Sequence, residues 1–153
     1  MEQPEYCVYT DGACSRNGSQ NALAGIGIYF GDNDLRNVSE KLRGKHTNNS
    51  AELTAILKLY SIIEDDIIAQ KKITIRTDSE YAIKCVTSYG KKCSEKSWNV
   101  DIPNKRLVQT IYELYNHLSN VHFVHVRAHT KHTDIHSLGN QHADRLAQSA
   151  CYL

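Results

Sequence analysis

The chain has 153 residues, 41% of them hydrophobic and 23% charged, and its 18 Lys and Arg nearly balance 17 Asp and Glu for a formal net charge of +1. This length suits one domain with a sizeable core over residues 1–153 and leaves no room for a separate second domain, while the composition excludes disordered and fibrous classes. A balanced net charge does not by itself mark a partner.

No apolar run approaches the roughly 20 residues of a membrane span, and the first residues lack the basic and apolar regions of a signal peptide. An intracellular protein, cytoplasmic or nuclear, without a membrane partner is therefore expected. Five cysteines, Cys7, Cys14, Cys85, Cys93 and Cys151, form an odd set with no Cys-x-x-Cys, which argues for reduced thiols over disulfides or a zinc site.

Residues 6–10 alternate and are rich in β-formers, predicting a strand that ends by presenting Asp11. Residues 24–30 and 37–43 predict two more strands joined by the turn signal Gly31-Asp32-Asn33-Asp34, giving an antiparallel meander. From about Ser50 the period becomes helical through Leu53, Ile56, Leu57, Tyr60, Ile63 and Ile67, with Asn48, Asn49 or Ser50 as the cap and Glu52 in the first turn. Residues 72–77 form a fourth predicted strand, and Asp78 follows at its C-terminal end, where open α/β sheets place their chemistry.

Residues 79–98 read as helix broken at Gly90; Pro103 ends it, and Asn104 can cap a new helix over 105–118. Residues 121–126 predict a fifth strand, residues 127–138 a polar loop with three histidines, and residues 139–150 a last helix carrying Asp144. The expected fold is α/β: a five-stranded mixed sheet, three strands antiparallel and two parallel, with helices on both faces.

Two features carry chemistry. The acids Asp11, Glu52, Asp78 and Asp144 sit at strand edges or on helices among small or apolar neighbours, so folding can bring them together. Two like charges 4 Å apart repel by roughly 4 kcal/mol at an effective dielectric near 20, so such a cluster either protonates or binds cations. Oxygen-only ligands favour Mg²⁺ or Mn²⁺ over Zn²⁺. Taken singly, each acid reads equally as a turn former, a cap or a helix-dipole partner.

The second feature is residues 84–106, where six basic residues (Lys84, Lys91, Lys92, Lys96, Lys105, Arg106) face two acidic ones (Glu95, Asp101). Charge alone describes a solvated helix face. Tyr89 and Trp98, interleaved with the lysines, point instead to a surface that tracks a nucleic-acid backbone and offers stacking groups.

Five motifs then fall in register. Tyr9-Thr10-Asp11-Gly12-Ala13-Cys14 with Asn17-Gly18, Thr47-Asn48-Asn49-x-Ala51-Glu52, Thr77-Asp78-Ser79, Asn104-Lys105, and Val126-x-x-His129 followed by Gly139-Asn140-x-x-Ala143-Asp144-x-Leu146-Ala147 resemble the type 1 ribonuclease H family over nearly the whole chain. The resemblance implies an endonuclease that hydrolyses the RNA strand of an RNA–DNA hybrid, leaving 3′-hydroxyl and 5′-phosphate ends, with two Mg²⁺ ions that Mn²⁺ can replace. It implies Asp11, Glu52, Asp78 and Asp144 as metal ligands and His129 as the family's mobile histidine, which helps move a proton or release product.

The same resemblance places Cys14, Asn17 and Asn49 beside the RNA 2′-hydroxyl, Lys45, Thr47 and Asn104 at a DNA phosphate, and Tyr89 and Trp98 on a reduced basic protrusion in which Cys93 replaces a common tryptophan. The segment between His129 and Asp144 is longer than usual by about five residues around 131–137. A zinc site from His129, His132 and His136 is disfavoured, since only Asp134 could join them. A branched-DNA resolvase of the same superfamily is weighed against by Asn17, Asn49 and the basic stretch. A catalytically silent hybrid-binding module is weighed against by the four acids. A monomer is expected, because no apolar stripe lacks an explanation.

Overall fold

The computed structural model describes residues 5–15 and 22–153. Three strands lead, β1 (Glu5–Ser15), β2 (Leu23–Tyr29) and β3 (Val38–Leu42), followed by helix α1 (Asn48–Ile68) and strand β4 (Lys72–Thr77). Helices α2 (Glu80–Val86), α3 (Ser88–Glu95) and α4 (Lys105–Tyr115), strand β5 (Val121–His125) and helix α5 (Ile135–Ala150) complete the chain. The sheet order is β3-β2-β1-β4-β5, antiparallel across β1, β2 and β3 and parallel across β1, β4 and β5. This is the expected five-stranded mixed sheet. Among the described residues no helix is long and apolar enough to cross a membrane.

Alternation in the strands sorts side chains to two unequal faces. On one face Val8, Ile28, Ile73 and Ile75 meet Leu53, Ile56, Leu59 and Ile63 of α1 and Val108 and Ile111 of α4, all fully buried. The opposite face holds a small cluster of Ala13, Ala147 and Cys151 beneath α5. Here the helix backbone lies directly on the sheet. A Cβ at Gly27 would come within 2.1 Å of the Ala143 carbonyl oxygen and 2.7 Å of the Ala147 nitrogen, so only glycine permits this approach.

Several boundaries differ from expectation. β1 continues past Asp11 to Ser15, because β2 keeps pairing with it to Ser15↔Leu23 after its β4 partner ends at Thr10↔Thr77. Thr47 is the cap of α1: its hydroxyl accepts the Ser50 N–H at 3.1 Å while the Ser50 hydroxyl accepts the Thr47 N–H at 2.8 Å. Glu52 therefore stands in the second turn, beyond the four N–H groups a first turn leaves open.

The break in the helical stretch 79–98 falls at Thr87, in a non-helical conformation with φ −125° and ψ −108°. Gly90 lies inside α3, buried, where a Cβ would meet the Cys85 carbonyl at 2.1 Å and the Tyr112 ring at 2.5 Å. Asn104 occupies the cap position of α4 in a left-handed conformation, φ 58°, without a side-chain capping bond. Finally, α5 starts at Ile135, since Asp134 caps it by accepting the Ser137 N–H at 3.2 Å; residues 135–138, at the end of the expected polar loop, are helix.

Gly27→Ala should therefore act as overpacking and destabilise the fold by about 1–3 kcal/mol. Gly31→Ala, where a Cβ meets nothing within 4 Å, should stay within about 0.5 kcal/mol of wild type. Paired thermal or urea melts check both, and equal stability of the two variants would refute the close helix–sheet contact.

Candidate active site

Three packing constraints converge on Asp11. In the parallel ladder, Thr10 of β1 lies opposite Thr77 of β4, so the residues that follow, Asp11 and Asp78, leave the ladder side by side. In the antiparallel ladder Asp11 lies opposite Gly27, the residue on which the Ala143 backbone rests, so Asp144 follows directly over the same region. The third constraint is Gly12, where a Cβ would come within 2.3 Å of the Glu52 nitrogen; its absence lets the second turn of α1 touch β1.

The carboxylates meet as a result. Asp11, Glu52 and Asp78 each offer an oxygen within 4.8 Å of the others, and Asp11 and Glu52 are only 3% and 7% exposed. Asp144, half-buried on α5, lines the same cavity. Glu52 is held by the Gly12 N–H, 2.7 Å from Oε1, and by the Thr77 hydroxyl, which donates to Oε2 at 3.4 Å. Asp78 accepts from Asn140 Nδ2 at 3.4 Å.

These acids line one open cavity of about 320 Å³ together with Gly12, Ala13, Cys14, Asn48, Ser79, Ala128, His129 and Gln148. Among these lining residues there is no lysine or arginine. Burial, and next the adjacent Glu52 carboxyl, push Asp11 far above the usual carboxylate range. Burial raises Glu52 as well, against the hydrogen bond from Asp11. Asp78 is also raised by burial, against the Asn140 hydrogen bond, with the Asp144 charge adding to the rise. The donor set is all oxygen, buried and uncompensated, which fits hard divalent cations.

His129 sits on the wall of this cavity, exposed and in a left-handed conformation, φ 52°, that a non-glycine residue adopts at a cost. His132 and His136 do not join it. His136 Nδ1 bonds the Tyr9 hydroxyl at 2.7 Å in a separate cleft of about 830 Å³ that none of the four acids lines. Among the described residues, the group arranged to hold a metal is the carboxylate one, so no histidine zinc site forms.

The other sequence candidates divide. Cys14 lines the cavity, its thiol donating to the His46 carbonyl at 3.4 Å. Asn49, at the start of α1, and Lys45, just before it, are exposed, and Asn48, which the sequence offered only as a cap candidate, is the asparagine on the cavity wall. Thr47 is engaged as the cap, and Asn104 Nδ2 stands 3.5 Å from the Tyr81 hydroxyl. Asn17 lies outside the described residues.

Tyr89 and Trp98 are half-buried away from the cavity, with the Trp98 ring 5.9 Å from Tyr112 and Cys93 buried beside them. All six cations of residues 84–106 are exposed, and none enters a salt bridge among the described residues.

A carboxyl whose folded pKa lies above its unfolded value of about 3.9 contributes stability that is full below that pH and lost as pH rises through the folded value. In EDTA, Asp11→Asn should therefore melt above wild type at about pH 8, by about 2–4 °C for each kcal/mol of repulsion relieved, with the gap closing toward about pH 4. Saturating Mn²⁺ should reverse the order by binding wild type preferentially. Scanning fluorimetry checks both; an Asp11→Asn protein that melts lower in EDTA at the upper pH would contradict the crowding argument.

Comparison with known proteins agrees with this geometry. The family model for RNase H matches residues 3–152. A probable ribonuclease H of Acanthamoeba polyphaga mimivirus is 38% identical over 140 residues, 88% of this chain and 61% of that protein. A ribonuclease H of Schizosaccharomyces pombe is 37% identical over 146 residues, 92% of this chain and 51% of that protein. The chain thus spans 51% to 61% of the length of these curated relatives. The crystal structure of Prototype Foamy Virus protease-reverse transcriptase superposes with a TM-score of 0.77 at 25% identity, covering 99% of this chain and 21% of that one. With its sheet order, its crowded acids and a family match over nearly its full length, the chain belongs to the RNase H family.

Proposed function

We propose that the chain is an endonuclease that hydrolyses the RNA strand of RNA–DNA hybrids, leaving 3′-hydroxyl and 5′-phosphate ends. The observation that carries this reading is the meeting of Asp11, Glu52 and Asp78 within 4.8 Å in a cavity that Asp144 and His129 also line. The four carboxylates Asp11, Glu52, Asp78 and Asp144 would hold two Mg²⁺ ions, with Mn²⁺ as a substitute. When bound, such ions stabilise charge on the attacking and leaving oxygens of an in-line displacement.

The protein's own groups do the rest. Gly12 and Thr77 fix Glu52 by hydrogen bonds, so its carboxylate need not reorganise during reaction. His129, exposed at the cavity wall, moves a proton at the leaving oxygen or assists product release. Cys14, Asn17 and Asn49 read the RNA strand by its 2′-hydroxyl. Lys45, Thr47 and Asn104 grip a DNA phosphate, and Tyr89 and Trp98 support the DNA strand from the basic stretch. The chain acts as a monomer.

The test is cleavage of an end-labelled hybrid by wild type and Asp11→Asn, with Mg²⁺, Mn²⁺ or EDTA. Cutting of the RNA strand alone, dependent on metal and lowered at least about 100-fold in the variant, is expected. Hybrid binding without cutting in either metal would overturn the enzyme reading, and preference for DNA junctions would redirect it to a resolvase. His129→Ala should lower kcat by about 100-fold with KM little changed, whereas His132→Ala should behave as wild type. The reverse pattern would move the proton-handling role along the loop.

A further inference from the structure

Asn140 lies on α5 one turn before Asp144, so the two side chains project from one helix face. It is 3% exposed, one of the few polar side chains buried this deeply. Its Nδ2 donates to Asp78 Oδ2 at 3.4 Å, and its Oδ1, also buried, has no hydrogen-bond partner among the described residues. The Asp78 carboxylate sets this orientation, because a flipped amide would place one oxygen against another.

Buried polar atoms are nearly always satisfied, and a half-used amide is costly where a leucine of similar volume would pack without loss. The missing partner must be a donor small enough to enter beside the acids. Hard divalent cations held by carboxylates keep several of their waters, and each such water is a strong donor. Asparagine is the side chain that can meet both demands at once: aspartate would repel Asp78, and an apolar residue would hold neither group.

We propose that Asn140 is a positioning residue of the metal site, its amide N–H fixing the Asp78 carboxylate and its amide oxygen accepting a hydrogen bond from a water of the cation that Asp78 helps hold. This rests on the divalent-cation nuclease reading of the cavity and adds to it a residue outside the four ligands. Two functions are thereby separated on α5: Asp144 supplies a charge, and Asn140, one turn earlier, orients the charge of Asp78 just past the end of β4.

The experiment is Mn²⁺ titration of the full chain without substrate, followed by the electron paramagnetic resonance signal of free Mn²⁺, for wild type, Asn140→Ala and Asn140→Leu. Both variants should melt in EDTA at or above wild type yet bind Mn²⁺ about 10–100-fold more weakly, with kcat lowered by a comparable factor and KM for the hybrid unchanged. A variant that is folded and binds Mn²⁺ within about twofold of wild type overturns the proposal. Failure of both variants to fold in EDTA also overturns it, in favour of a purely structural asparagine. If wild type itself neither takes up Mn²⁺ nor cuts the hybrid, the underlying nuclease reading fails with it, an outcome distinct from normal binding in the variants alone.

Discussion

Repulsion among carboxylates is the constraint around which this molecule is built. Asp11 and Glu52 are almost fully buried, Asp78 lies within ligand distance of both, and Asp144 lines the same cavity from another element. Like charges at such range oppose folding unless rigid packing holds them and protons or cations compensate. The compensation here is not internal, since no lysine or arginine is among the residues that line the cavity. The holding is done by backbone: Gly12 admits α1, Gly27 admits α5, and the ladder of β1 with β4 ends one residue before the acids. A site of this kind spends stability on readiness to bind cations, in line with the general opposition between stability and function.

The fold was legible wherever one period dominated. Alternating residues of the strands and the run Leu53 to Ile67 predicted the sheet and α1, and the acids stood out because each follows small or turn-forming neighbours in a motif. What stayed hidden depended on partners distant in sequence. Nothing local says that β1 outlasts its β4 partner, so Asp11 was read as a strand end although it lies within the strand. Gly90 looked like a helix break because glycine is a poor helix former, yet tertiary contact with Cys85 and Tyr112 requires its lack of a side chain. The cap at Thr47 and the helix start at Asp134 were readable in principle: each is a threonine or aspartate three residues before a serine that bonds back to it. Asn140 also had a signal, its four-residue spacing from Asp144, but burial and an unpaired oxygen are facts of packing.

The basic surface outside the cavity obeys different physics. Trp98 rests against Tyr112 and Tyr89 packs on the main core, so the aromatic groups of residues 84–106 are pinned at their inner faces and only partly free to stack. Cys93, buried where the resemblance suggests a further tryptophan, contributes packing and no exposed ring. The exposed cations of the same stretch must therefore supply more of any grip on a nucleic-acid backbone, and grip of that kind arises from counterion release and weakens steeply with salt.

A formal charge of +1 thus conceals a separation of opposites. The cavity concentrates negative charge where low exposure strengthens its field, while the exposed cations of residues 84–106 spread positive charge where water and salt weaken theirs. A polyanion approaching the molecule is attracted to the second region and repelled by the first unless cations already fill it. For the proposed nuclease, an order of binding follows from that asymmetry: divalent ions would convert the cavity from a barrier into a place that holds a phosphodiester, and the basic surface would then determine which stretch of backbone lies over it. On the proposed reading, the acids whose mutual repulsion opposes folding would also keep a phosphodiester out of the cavity until cations are bound there.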